Sequence, residues 1–558
     1  MDKTDREADE RNRASTVLYG VSDIPPWHIT LLLGCQVFLT CLGGTFAYPL
    51  IISGALCLEG DTLGLAQVIG TVIFVSGLST LIQTFFGIRL PIVQSCSPAF
   101  ITPVFSLMAI YKPTDCPFNI KNYNETLPEI GGPVHREIWQ TRIIEVTGAI
   151  MIASLFQLVI GCSGLLGVML RFIGPLTVTP TIAMIGLSIF NPAYQKSENQ
   201  WWIAITTVAL IVIFSQYIML AIVTAWVICI ILTASGALPD DKNGWGYKAR
   251  TDVKIAVLEK ADWFRFPYPG QWGMPTISLA GVFGMLAGVF ATIVESVGDY
   301  YACARLANAP PPPGSAVSRG IGMEGVACVI GAGIGSPGCT TSYSENIGAI
   351  GITKVGSRIV TQVGAVIMLF LGCFTKFGAL FVTLPDSIVG GLFFVMFGMV
   401  TAVGLSNLQF VNLNSSRNLF VIGVPLVFAL SVPTWLKIQS SSPISTGSVF
   451  VDQIFTVLLS TNMFVAGLLA FFLDNTIPGS DEERGIKAWR ETDKHDSDDG
   501  SSSHVYDIPF LQKYLDKLAC SKYVPILPNF KGDKSDSTVT GCCKQCRSPS
   551  FKEPEVYV

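Results

Sequence analysis

Charge is scarce in this chain. Only 14% of its 558 residues are Asp, Glu, Lys or Arg, half are hydrophobic, and the mean hydropathy is +0.52. Soluble domains carry about a quarter charged residues, so a soluble globular protein is excluded. Histidine is scarcer still: the four are His28, His135, His495 and His504, at a span edge, in a loop or in the tail. That excludes a histidine metal site at membrane depth and leaves a serine nucleophile there without a general base. Asp299 has no partner aspartate deep inside another apolar run, so an intramembrane aspartyl protease is not expected. Enzymatic chemistry is therefore not expected. Neither a pore lined by repeated charges nor a carbonyl-filter motif is visible, so an ion channel is not indicated. A cleavable signal peptide is not expected either, because Met1–Arg13 is strongly charged and the apolar run from Trp27 starts too late and extends too far.

What the chain does have is long apolar runs. Charges gather in Met1–Arg13, Asp240–Arg265 and the tail after Asp474. Between them recur runs of about 18–25 residues, enough to cross roughly 30 Å of hydrocarbon. Spans are expected near His28–Ile52, Leu63–Phe86, Leu90–Ile110, Ile143–Ile160, Leu165–Ile189, Trp201–Leu238, Ile277–Ala302, Gly320–Gly335, Tyr343–Val355, Ile359–Thr375, Leu380–Leu405, Leu419–Trp435 and Phe450–Phe472. The pattern predicts an all-α polytopic membrane protein, with the bilayer as its surroundings and tails at 1–26 and 475–558. The second tail is polar, Ser/Asp-rich around Asp496–Ser503, and expected to be largely disordered.

Two runs are interrupted in the same way. Gln94-Ser95-Cys96-Ser97-Pro98-Ala99-Phe100 and Cys339 to Asn346 each place a short polar stretch, marked by proline or glycine, inside an apolar segment. Interrupted segments at corresponding places in two halves point to the binding site of an inverted-repeat transporter. The second stretch also holds Glu345. A charge at bilayer depth costs several kcal/mol unless it faces protein or water, so it is a site hypothesis by default. Glu295 and Asp299 lie four residues apart, one helical turn on one face. The three carboxylates either bind a ligand or an ion, or are satisfied by neighbouring donors.

Basic residues in short loops set orientation. Arg305 and Arg319 flank the prolines Pro310–Pro313, and Lys354 and Arg358 follow the second interrupted segment, so both loops and both termini are expected in the cytoplasm. The loop from Met108 to Arg142 is then external, where Asn124-Glu125-Thr126 is a glycosylation sequon. Most of the fifteen cysteines fall in apolar runs and read as small buried hydrophobes. Cys57 and Cys116 fall in loops on one side, which leaves a disulfide between them open. The tail run Cys542, Cys543, Cys546 contains a lone CxxC, weak for metal and equally suited to acylation. The terminal Val556-Tyr557-Val558 has the form of a ligand for a PDZ-type domain, or is a solvated end.

Glu345-Asn346-Ile347-Gly348-Ala349-Ile350-Gly351-Ile352-Thr353-Lys354 resembles the signature of the nucleobase-ascorbate transporter family, [Gln/Glu/Pro]-Asn-x-Gly-four residues-Thr-[Arg/Lys/Gly], at every fixed position. Gly174-Pro175-Leu176-Thr177, Glu295 to Leu306, Pro310–Pro313 and Ala402 to Phe410 are similar to its animal branch of sodium-dependent transporters, and the likeness runs from Pro25 to about Gly485. The resemblance implies a 7+7 inverted repeat of about fourteen transmembrane segments. It implies a core near 27–165 and 276–376, a gate near 166–238 and 379–473, and commonly a homodimer at the plasma membrane. It assigns Glu295, Glu345, Tyr343, Ser344, Ala99 and Phe100 to the substrate and Asn346, Gly348 and Thr353 to the signature. Ascorbate carriers of the family have proline where this chain has Glu345, so the implied substrate is a purine or pyrimidine base, with ascorbate as the alternative. Asp299 is assigned to a coupling sodium ion. No cofactor and no nucleic-acid partner are expected.

The chain departs from the family at three places. Val37 stands where many relatives have histidine, which weakens a proton-coupled reading. Pro98 stands where an aromatic is usual, which removes a backbone donor and a ring contact. Trp201 to Leu238 runs 38 residues without a charge where relatives have two spans and a basic loop. A shortened pair of helices turning near Ser215-Gln216-Tyr217 keeps the orientation of the later loops and is the expectation. A transport-impaired binding or regulatory relative is the alternative that this shortening raises.

Overall fold

The computed structural model describes residues 17–111, 116, 130–214, 218–241, 244–439, 443–487 and 503–507. Apolar sequence becomes helix nearly throughout, because helices satisfy their own backbone groups where water is absent. The first half runs α1 (Trp27–Ile52), α2 (Thr62–Phe85), strand β1 (Gln94–Cys96), a 3-10 turn (Pro98–Phe100), α3 (Ile101–Met108), α4 (Pro133–Ser163), α5 (Leu165–Phe172), α6 (Pro175–Ser188), α7 (Phe190–Ser197), α8 (Trp201–Ile213) and α9 (Ile218–Ala234). After the short α10 (Ala256–Lys260) the second half repeats the order. It runs α11 (Leu279–Leu306), α12 (Gly314–Ile334), strand β2 (Thr340–Ser342), α13 (Ser344–Thr353), α14 (Arg358–Cys373), α15 (Thr375–Val382), α16 (Asp386–Ser406), α17 (Ser416–Ile438), α18 (Val449–Ser460) and α19 (Asn462–Thr476). Each half has seven segments, the third being a strand followed by a half-helix. The two strands pair antiparallel in the interior, Gln94 opposite Ser342 and Cys96 opposite Thr340.

Among the described residues eight helices are long and apolar enough to cross a membrane, and two bent pairs pass the same test. Small residues let them approach closely, as membrane helices require. A methyl on Gly77 of α2 would lie 2.7 Å from the Ala365 carbonyl and 2.9 Å from Met368 Cβ on α14. Backbone cannot yield there, so Gly77→Ala should destabilise by about 1–3 kcal/mol. The thermal midpoint in detergent checks this, with Gly298→Ala, where a methyl meets nothing within 4 Å, as the neutral control.

The shortened pair is present as α8 and α9. Trp245, beyond α9, donates to Glu198 O at 3.1 Å just before α8, and Thr251 N donates to Thr233 Oγ1 near the end of α9, so the chain returns to the side it left. Three expected spans are broken. Leu165–Ile189 divides at Gly174–Pro175, because proline cannot continue α5 but starts α6 well. Leu380–Leu405 starts afresh at Asp386 after Pro385, and α14 and α15 meet at 81°. Phe450–Phe472 bends by 83° between α18 and α19.

Two faces follow. The terminal face carries the N-terminal segment, where Leu18 N donates to Lys354 O at 2.7 Å, and the ends of α2, α11, α13 and α19. The far face carries the loop after α1, joined to Cys116 by a disulfide from Cys57 with Cα atoms 5.8 Å apart. It also carries a long loop whose Trp272 donates to Gly335 O at 2.9 Å. Asn124, Cys542, Cys543, Cys546 and the last three residues lie outside the described residues.

Candidate binding site

The two half-helices begin where the strands pair, so their N-terminal N–H groups point into the interior beside α11. There lies a cavity of about 820 Å³. Ser97 and Pro98 line it from the first interrupted segment, Tyr343, Ser344, Glu345 and Gly348 from the second, Glu295 from α11, and Gln36, Thr40 and Tyr48 from α1. Glu345 sits in the first turn of α13, where the helix dipole favours negative charge. Its lining is exposed toward the terminal face, at Leu32, Ile352 and Met399, and buried at the other end, at Tyr48, Ile51 and Ile101. The cavity therefore opens to the terminal face and is closed toward the far face.

Asp299 stands behind the lining rather than in it. It is buried and accepts from Ser342 Oγ at 2.7 Å and Ser344 Oγ at 2.9 Å. Ser342 Oγ also reaches Ser296 Oγ at 3.1 Å, which pairs with Thr341 Oγ1 at 2.8 Å. This chain of hydroxyls ends on Glu324 of α12, whose carboxylate accepts from Ser296 at 3.0 Å and Tyr300 at 3.4 Å. Glu324 is 1% exposed. Sequence reasoning missed it although the charge-in-a-span rule applies to it as fully as to Glu345.

The signature residues have distinct structural places. Asn346 Nδ2 donates to Val37 O at 2.9 Å and ties α13 to α1. Gly348 leaves open space at the cavity wall. Thr353 bonds Ala349 O at 2.9 Å, and Lys354 ends the helix in the left-handed conformation, φ 57°. Tyr343 packs so closely on α1 that a Cβ at Gly44 would overlap its hydroxyl. The Val37 side chain faces Gly364 of α14, not the large cavity.

Two expected contact residues are placed elsewhere. Ala99 packs with Ile185, Ala287 and Ala291, and the Phe100 ring lies against Gly288, so neither lines the cavity. The reason is local: Ser97 caps the turn by accepting from Ala99 N at 3.2 Å, and the 3-10 geometry then sends the next two side chains into the packing. Pro98 is at the start of that turn, where its missing N–H has no helical partner to lose.

On the far face a row of charges crosses the closed end. Lys196 Nζ at the end of α7 is 2.8 Å from Glu59 Oε1 in the loop after α1 and 3.8 Å from Asp386 Oδ1 at the start of α16. Lys254 Nζ reaches the same Asp386 oxygen at 2.9 Å.

A largely apolar cavity that carries two carboxylates between the half-helices of an inverted repeat is the architecture of a secondary transporter, and the fold and site together define a multi-pass membrane permease. Residues 28–204 and 201–438 match the Permease family model Xan_ur_permease. The chain belongs to the nucleobase-ascorbate transporters of that family. It is 46% identical over 549 residues to solute carrier family 23 member 2 of Mus musculus, covering 93% of this chain and 83% of the relative. It is 46% identical over 545 residues to solute carrier family 23 member 1 of Mus musculus, covering 92% and 89%. With nucleobase-ascorbate transporter 2 of Arabidopsis thaliana it shares 34% over 517 residues, covering 88% and 94%. The solved structure of the murine Slc26a9 anion transporter in the inward-facing state matches with a TM-score of 0.51 at 12% identity, covering 73% of this chain and 65% of that one. That likeness shows the fold.

Proposed function

We propose that the chain is a sodium-coupled symporter of purine and pyrimidine bases, of the uracil, hypoxanthine and xanthine kind. The observation that carries the reading is the pair Glu295 and Glu345 on the wall of one cavity. Carboxylates there accept from the ring N–H groups of a flat neutral base, while Ser97 and the half-helix N–H groups meet its carbonyls. Asp299 with Ser342 and Ser344 supplies the hard oxygens an alkali ion prefers, by extension from other hard cations. The core, made of the first four segments of each half, moves against the gate by an elevator-type alternating access. The terminal face is cytoplasmic, as the gathering of Arg89, Arg319, Lys354 and Arg358 there supports, and the protein acts as a homodimer at the plasma membrane, glycosylated at Asn124.

Uptake of labelled uracil, hypoxanthine and xanthine, with sodium and with choline in its place, tests this. Base uptake that collapses in choline is expected. Uptake unchanged by choline removes the coupling, and uptake of labelled ascorbate that unlabelled bases do not compete establishes the alternative substrate. Ligand binding without flux, despite α8 and α9 both being present, identifies a transport-impaired relative.

A further inference from the structure

The terminal face holds a second pocket, apart from the cavity, formed where three arginines converge. Arg89 is in the turn between α2 and β1, in the left-handed conformation at φ 63°. Arg319, 4% exposed, is in the second turn of α12, and Arg358 opens α14. The turn orients the other two: Arg319 Nε donates to Gly87 O at 2.9 Å and Arg358 Nε to Arg89 O at 2.7 Å. Their outer N–H groups are thereby aimed away from the helices, and what they meet is the tail. Arg319 Nη2 donates to Tyr506 O at 2.6 Å and Arg358 Nη2 to Val505 O at 3.1 Å.

The tail fills the pocket as a ligand fills a site. Tyr506 is 2% exposed, and its ring belongs to the main hydrophobic cluster, with Val505 packed beside it. Its hydroxyl donates to Pro310 O, at the start of the four prolines between α11 and α12. Asp507 adds a carboxylate within electrostatic reach of Arg89 and Arg319. Without this occupant three guanidinium groups would repel one another around an open apolar slot, a poor end state for groups that are partly desolvated. Each property of the tripeptide answers one of the pocket: carbonyls for fixed N–H forks, a ring for the slot, an acid for the excess positive charge.

We propose that the Arg89–Arg319–Arg358 pocket is a peptide-binding site whose ligand is this chain's own Val505–Tyr506–Asp507. The tail is held again further up, where Arg484 and Arg417 clasp Asp474 at 3.0 Å and Asn418 Nδ2 donates to Glu483 O at 2.8 Å. Twenty residues separate Arg484 from Val505 in the sequence. Because ligand and pocket belong to one chain, binding is intramolecular and the site is filled in cis unless the tripeptide is altered. The site asks for an aromatic residue followed by an acidic one, and it depends on neither the substrate nor the coupling ion.

The test uses the full chain in detergent. Val505→Cys, corrected for the native thiols, should react with a maleimide roughly tenfold or more slowly than the same cysteine combined with Tyr506→Ala. A fluorescent peptide of residues 500–510 should bind the Tyr506→Ala chain and leave the parent unlabelled, because the parent's pocket is occupied. Tyr506→Phe, which keeps the ring and loses the bond to Pro310, should fall between. All three changes lie in the tail, so a size-exclusion profile like the parent's is expected. Equal labelling rates in the two backgrounds overturn the proposal, as does a peptide that binds neither chain or both alike.

Discussion

Glu345→Gln is expected to cut uptake of labelled base by roughly tenfold to a hundredfold, and Glu295→Gln by a similar factor. Hydrogen bonds to a charged acceptor contribute about 1.5–3 kcal/mol, and each 1.4 kcal/mol is about tenfold in affinity. Glutamine keeps the size of either side chain, so the loss reads the charge and not a cavity. Because both residues line one cavity, the double replacement should cost less than the product of the single ones. Thermal stabilisation by added base separates the reading from misfolding: the parent should be stabilised and each variant much less so. Glu137→Gln, exposed in the second turn of α4, should change nothing. Normal uptake by both cavity variants would refute the site.

The parts of this site that sequence reveals are those where composition changes abruptly. Polar residues with proline or glycine inside an apolar run mark both interrupted segments, and β1 and β2 pair at those places. Glu345 is visible because it stands in one of those polar stretches, and Glu295 because it shares a helical face with Asp299. Glu324 has neither signal: it stands alone among glycines and apolar residues, with no polar stretch and no second carboxylate beside it. Direction is not legible either. Sequence shows that the chain is interrupted at Ser97–Phe100, but only the cap from Ser97 decides that Ala99 and Phe100 turn inward to the packing. The bend at Thr461 has neither proline nor glycine to announce it. It rests on bonds made after folding, Thr461 Oγ1 to Ser106 Oγ at 3.2 Å and Asn462 Nδ2 to Ala429 O at 2.7 Å.

Lys196→Glu is expected to open the far face. The cavity is closed on that side and open to the other, and the ion pair from Lys196 to Glu59 joins the loop after α1 to the end of α7 across the closure. In the proposed alternating access these two parts must separate, so the pair stabilises the state seen here and opposes the other. Lysine at 196 faces two carboxylates, Glu59 and Asp386; glutamate there makes three like charges, and like-charge juxtaposition costs several kcal/mol. Lys254, already on Asp386, offsets part of this, and a tenfold or greater shift toward the outward-open state is the expected balance. Cys96, at the buried end of the cavity and 3% exposed, is a native reporter. A membrane-impermeant maleimide applied from the far side should label it in the Lys196→Glu chain and scarcely in the parent, with Cys96→Ser as the blank. The pair should also ignore mild acid. Lys196 holds the Glu59 carboxyl below the ordinary glutamate range, so its contribution is fully present above that range and is lost only as pH falls through the lowered value. Labelling of the parent, expressed at each pH relative to the Lys196→Glu chain so that the falling thiolate fraction cancels, should then stay flat from about pH 8 to about pH 5. Labelling that rises within that window would mean that another group, not Glu59, holds the far face shut.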